Sequence, residues 1–183
     1  PGVQPLTPSV LTGCYVVEDV QFAYGKAPPA VQVKRLTVAA GERIGILGTV
    51  GSGKSTLLRV MAGLYRPSEG RVLIDGLDVS HVAREAMSRH VSYVQQDHRL
   101  FEGTLRQNLL VGLPNPGDDL VKAAMAQTGL LDLVAGHPMG LDLPISEGGK
   151  GLSGGQKQLL VFTRLVLAQP KVMLLDEPTA SMD

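Results

Sequence analysis

The sequence predicts an α/β fold: a mixed or parallel central sheet, an antiparallel β subdomain before it, and an inserted helical subdomain. Three observations carry this. A glycine-rich loop, Gly48-Thr49-Val50-Gly51-Ser52-Gly53-Lys54-Ser55-Thr56, stands between an apolar run of strand length and a helical pattern. A second apolar run, Val172–Leu175, ends in the carboxylates Asp176 and Glu177. Between them, residues 100–140 change to helical spacing punctuated by Pro114, Pro116, Gly117 and Pro138.

Taken in order, Pro1–Pro8 is proline-rich and lacks periodicity, so residues 1–13 read as a linker and 14–183 as the domain. Tyr15–Tyr24 and Val31–Ala39 are rich in strand formers and are separated by a turn containing Pro28 and Pro29. Two β segments ahead of the glycine-rich loop predict the small antiparallel sheet. Arg43–Leu47 reads as a short buried strand feeding the loop. Leu57, Leu58, Met61, Ala62 and Leu64 then recur at helical spacing, with Gly63 and Pro67 marking the helix end. Gly70–Ile74 reads as a strand, Val79–Arg89 as a helix, and His90–Val94 as a strand ending at Gln95-Gln96-Asp97. The helical subdomain is placed at about residues 98–165. It closes with the glycine-rich Glu147–Gln156 and a helix from about Gly154 to Ala168, stopped by Pro170.

The loop pattern G-x-x-x-x-G-K-S dictates its own chemistry. Glycines let the backbone turn tightly and aim N–H groups at phosphate oxygens. Lys54 reaches β- and γ-phosphates, and Ser55 offers a hydroxyl for Mg²⁺. The helix N-terminus adds about 0.3–1 kcal/mol per charge. At the far strand end, one of Asp176 and Glu177 can approach Mg²⁺ while the other polarises water, because successive side chains on a strand alternate. Gln96 can ligate Mg²⁺, hold a water, or sit in a surface turn. Tyr24 is either a half-buried strand tyrosine or a base-stacking ring. Ser153 and Gln156 have capping-box spacing, which does not explain the glycines at 148, 149, 151, 154 and 155. Glycines at a helix start suit close approach of a bulky anion.

Bulk properties narrow the partners. The 183 residues carry a formal net charge of zero, which argues against a nucleic-acid surface. Cys14 is the single cysteine, so there is no internal disulfide. No apolar run approaches the roughly 20 residues of a bilayer span, and Leu159–Ala168 is broken by Arg164.

With these residues assembled, the chain resembles the ATP-binding cassette (ABC) ATPase family from Tyr15 to Asp183. The most specific element is Leu152-Ser153-Gly154-Gly155-Gln156, an unaltered LSGGQ signature. The resemblance implies that Tyr24 stacks on adenine and that Gly48, Thr49, Gly51, Ser52, Gly53, Lys54, Ser55 and Thr56 bind ATP. It implies that Ser55, Gln96 and Asp176 serve Mg²⁺, with Glu177 as the catalytic glutamate beside Gln96 and Lys54, and Asp183 in the D-loop. Gln95 stands where the family usually has proline. Ser153, Gly154, Gly155 and Gln156 would act in trans on the ATP of a second cassette in a head-to-tail dimer, a homodimer in this reading.

The family's switch histidine lies beyond the D-loop, whereas His81, His90, His98 and His137 all precede Asp176. The start at Pro1 without an initiator methionine and the stop at Asp183 make the reading take both ends as cut, and the missing histidine makes it expect weak or no turnover from these residues alone. The pattern Tyr15-x-x-x-Asp19-Val20-x-Phe22-x-Tyr24 and the run Leu141–Gly151 resemble exporters, in particular bacterial type I secretion exporters with a transmembrane domain fused upstream. That places the cassette at the cytoplasmic face of the inner membrane. The rival readings are a nucleotide-sensing, non-hydrolysing cassette and a soluble ABC ATPase acting on nucleic acid.

Overall fold

The computed structural model describes residues 4–95 and 100–177, which divide into two compact units. The first runs up to Tyr93 and takes in Pro170–Asp176; the second holds Val94–Gln169. Gln96, the remainder of the 96–99 segment, and Asp183 lie outside the described residues.

In the first unit, β1 (Tyr15–Phe22) is the centre of an antiparallel sheet, paired on one side with β2 (Val31–Val38) and on the other with β3 (Glu69–Ile74). β3 turns through Asp75-Gly76 into β4 (Leu77–Asp78). This is the antiparallel sheet expected from the two segments before the loop, enlarged by β3 and β4 from after it. Alternation puts Tyr15, Val17, Val72 and Ile74 inward, each no more than 2% exposed. The β1–β3 register shifts between Glu18 and Gln21, where Asp19 takes φ 47°. Gly70 answers that bulge: its φ is +73°, and a Cβ there would lie 2.3 Å from the carbonyl oxygens of Glu18 and Asp19.

Helix α1 (Lys54–Met61) lays Leu57, Leu58, Val60 and Met61 into the same core, and the buried Tyr15 hydroxyl donates to the Met61 carbonyl at 3.0 Å. The predicted stop at Gly63 is a Schellman ending. Gly63 N–H bonds Val60 O, Leu64 N–H bonds Arg59 O, and Gly63 has φ +72°.

Three expectations change. Arg43–Leu47 forms no strand, and it is exposed, with Leu47 at 96%. A strand exists only through a ladder, and among the described residues none pairs with this run. Val79–Arg89 is not one helix. Asp78 accepts from Ser80 N–H at 2.8 Å and starts a 3-10 turn, Val79–His81. Val82 and Ala83 are then extended, and α2 (Arg84–His90) begins only afterwards. Finally, β8 (Val172–Leu175) pairs with β5 (Val91–Val94), but only Leu174 is fully buried; Met173 is 56% exposed.

The N-terminal residues lie along this unit. Leu6 bridges Val82 in parallel, donating to His81 O and accepting from Ala83 N–H. Leu11 is buried. Asp75, at φ 48°, gathers the Thr12 hydroxyl at 2.6 Å and the Cys14 N–H at 2.9 Å.

The second unit is helical, as expected. A two-residue ladder, β6 (Gly103–Thr104) with β7 (Pro144–Ile145), leads into α3 (Leu105–Leu109) through a Thr104/Gln107 capping box. α4 (Asp118–Thr128) packs on α5 (Gly154–Ala168), with Thr128 and Thr163 hydroxyls 2.6 Å apart. Leu105, Leu109, Val121, Met125 and Leu160 form its core. Buried Asn108 hydrogen-bonds the Phe101 and Thr104 carbonyls through its amide group and accepts from Phe101 N–H. Arg164 donates to the Asn108 carbonyl and to its side chain; burial lowers the guanidinium's pKa from the usual arginine range. So the charge that interrupts α5's apolar run is absorbed inside the unit.

Candidate phosphate and metal site

Gly48–Ser52 is a surface loop that turns directly into α1. Packing requires glycine at 53, where backbone blocks a Cβ, and only crowds one at 48, where the Ser52 hydroxyl can rotate away. Gly53 has φ +91°, and a Cβ there would sit 2.2 Å from the Ala30 carbonyl; a Cβ on Gly48 would meet Ser52 Oγ at 2.6 Å. Lys54 curls back over the loop, its Nζ donating to Gly48 O at 2.7 Å and Thr49 O at 2.8 Å. The cation is therefore held at the mouth of the loop.

Ser55 opens α1, and its Oγ donates to Asp176 Oδ1 at 2.9 Å. These residues are 121 positions apart in sequence. The other carboxylate oxygen, Oδ2, accepts from the Tyr93 hydroxyl at 3.2 Å, and Arg59 Nε donates to that same hydroxyl at 3.2 Å. Burial, with the Asp176 charge adding to it, raises the Tyr93 pKa against the opposing pull of Arg59. Glu177 follows, exposed and at φ 46°, a left-handed conformation costing a non-glycine residue roughly 1–2 kcal/mol.

Tyr24 packs against the residue that follows Ser55 on α1. Its hydroxyl is 3.0 Å from Thr56 Oγ1, and its ring meets Phe22 and Tyr65 edge-on at 5.0 and 5.8 Å. It remains 46% exposed. Phe22 and Tyr65 stack on each other at 5.1 Å, and Arg59 lies 5.8 Å from the Tyr65 centroid. Arg59, Tyr65 and Tyr93 were not singled out from sequence. The available signal was Arg59 falling one turn after Ser55, on the same helix face.

In the second unit the Ser153–Gln156 capping box forms in both directions. Ser153 Oγ accepts from Gln156 N–H at 3.1 Å, and Gln156 Oε1 accepts from Ser153 N–H at 2.9 Å. Gly148, Gly149 and Gly151 all have positive φ. Gly155 does not, and a Cβ there would have only Ser153 Oγ near it, at 3.9 Å. Among the described residues, neither backbone conformation nor packing requires glycine at 155.

A glycine-rich loop on a helix N-terminus, its lysine at the loop mouth, and a strand-end aspartate bonded to the following serine define a phosphate-loop nucleotide-binding fold. Comparison with known proteins gives the family. A family model described as ABC transporter matches residues 31–180. The chain is 36% identical over its full length to ATP-binding cassette sub-family B member 6 of Mus musculus, covering 22% of that protein. It is 42% identical over 166 residues to the mycobactin import ATP-binding/permease protein IrtB of Mycolicibacterium thermoresistibile, a stretch that is 91% of this chain and 28% of that one. The solved structure of a bacterial Atm1-family ABC exporter with ATP bound superposes with a TM-score of 0.89 at 34% identity, covering all of this chain and 32% of that one. The chain belongs to the ABC transporter family, and it spans less than a third of the length of each of these proteins.

Proposed function

We propose that this chain is the ATP-binding and hydrolysing domain of an ABC exporter, closing head to tail on a second cassette around each ATP. The observation that carries the proposal is the 2.9 Å hydrogen bond from Ser55 to Asp176, which joins loop and strand end at one point. Two hard oxygen donors side by side suit Mg²⁺, which takes one or two protein oxygens and completes its shell with phosphate and water. Ser55 and Asp176 would hold it, with Gln96 as the third candidate. Bound there with ATP, Mg²⁺ neutralises charge on the β- and γ-phosphates.

The protein groups divide the remaining work. Lys54 exchanges its bonds to the Gly48 and Thr49 carbonyls for phosphate oxygens. The backbone from Gly48 to Thr56 surrounds the phosphates, and the exposed Tyr24 ring takes the adenine. Glu177 accepts a proton from the attacking water. Ser153, Gly154, Gly155 and Gln156 face the partner's ATP, and Gly155 supports that placement, since among the described residues nothing crowds the position of its missing Cβ. Asp183 joins the contact between cassettes.

The exporter reading draws on the Atm1-family structure and on the Tyr15–Tyr24 pattern; it places the cassette at the cytoplasmic membrane face, joined to a transmembrane domain. Among the described residues no helix is long and apolar enough to cross a membrane. The narrower reading, protein export by type I secretion, is supported by the Leu141–Gly151 run. It requires a protein cargo to cross reconstituted membranes in an ATP-dependent way.

The test of the motor is Glu177→Gln in the intact protein. Turnover should fall about 10²–10⁴-fold, with an ATP-bound cassette dimer accumulating. Unchanged steady-state phosphate release would remove Glu177 from its role. Absence of release from the wild type as well would favour a nucleotide sensor.

A further inference from the structure

The Asp176 carboxylate is bonded on both oxygens, and the role proposed for the site uses only one of those bonds. The second runs through Tyr93. Hydrogen-bond direction along it is fixed by chemistry. Arg59 Nε has only a proton to give, so the Tyr93 oxygen must accept it. The single tyrosine proton is then free to go to Asp176 Oδ2, which can only accept while ionised. The relay Arg59 → Tyr93 → Asp176 therefore has one sense.

Its anchors are firm. Arg59 lies one helical turn after Ser55, so α1 presents both ends of the carboxylate's clamp from the same face. The guanidinium also lies over the Tyr65 ring, which limits its swing. Tyr93 stands on β5, next to β8, the strand that Asp176 directly follows. A carboxylate held at Oδ1 alone can still rotate about its Cβ–Cγ bond. A donor on Oδ2 fixes its plane, and with it the direction of the lone pairs left for a metal.

We propose that Tyr93, oriented by Arg59, is a positioning residue for metal–nucleotide binding, setting the plane in which Asp176 meets Mg²⁺. This rests on the assignment of Asp176 to the metal and adds to it two residues outside the loop, the signature and the strand end.

The experiment uses the intact protein and a fluorescent trinitrophenyl-ATP, with binding read as Mg²⁺ is titrated and again in excess EDTA. Tyr93→Phe should raise the Mg²⁺ concentration at half-effect about 10-fold, the low end of what losing an outer-shell partner costs. Affinity in EDTA should stay within about twofold of the wild type. Arg59→Met should shift the Mg²⁺ half-point in the same direction by less, and the double variant should match Tyr93→Phe alone, because Arg59 acts through Tyr93.

Asp176→Asn separates the levels. If it leaves the Mg²⁺ half-point unmoved, the metal assignment fails and the positioning role falls with it. If it shifts the half-point while Tyr93→Phe does not, the site stands and the positioning role is overturned. Equal losses in EDTA and in Mg²⁺ for Tyr93→Phe would show mere scaffolding and overturn it too. So would effects of the two single variants that multiply in the double.

Discussion

Gly155→Ala should stabilise the cassette while disabling it. Gly155 is the second residue of α5, with an ordinary helical backbone. Glycine in a helix is roughly 0.5–1 kcal/mol less favourable than alanine. The added methyl would find its nearest neighbour at 3.9 Å, ordinary van der Waals distance, so no clash offsets the gain. The expected result is an increase of about 0.5–1 kcal/mol, read as a higher urea midpoint at unchanged slope in nucleotide-free protein. ATP turnover of the intact protein should fall about 10²-fold, because a partner's phosphate can no longer reach the backbone N–H groups of this turn, and displacement by an ångström costs that much. Retained turnover would refute the trans-acting role of the signature. A lowered midpoint would refute the claim that position 155 is uncrowded within the chain.

Asp75 governs acid stability. Burial opposes its charge, but the Thr12 hydroxyl and the N–H groups of Thr12, Cys14 and Gly13 outweigh it, and its carboxyl sits below the usual range. A depressed folded pKa means the stabilisation is complete above the unfolded carboxylate value, about 3.9, and is lost as pH falls through the lower folded value. Asp75→Asn should lower stability at pH 7 and flatten the decline below pH 4 in urea titrations; an unchanged acid limb would sink this. Asn108→Ala should cost the helical unit about 2–4 kcal/mol in chemical denaturation, since it strands Phe101 and Thr104 backbone groups and one contact of buried Arg164. A cost under about 0.5 kcal/mol would show that water replaces the amide.

What could be read from sequence was what is encoded locally. Residues 54–61 carry their own periodicity and a glycine stop, and α5 carries its cap, so both helices stand where the pattern put them. Arg43–Leu47 has strand composition but supplies only half of a ladder. The break at Val82 turns on Asp78 capturing one N–H group, a competition that periodicity does not register. In the candidate site, loop and strand end announced themselves as motifs. The Arg59–Tyr93 relay joins residues 34 apart and had no motif to announce it.

The attachment of the N-terminal segment has a mechanical consequence. Leu6 is zipped to the His81–Ala83 backbone, and Thr12–Cys14 is clasped by Asp75. Tension applied at Gln4 is therefore not delivered along β1. It loads the bridge at Val82 first and then the β3–β4 corner. None of these bonds involves residues 48–56, so a pull entering by this route meets the rim of the sheet before the residues around Ser55.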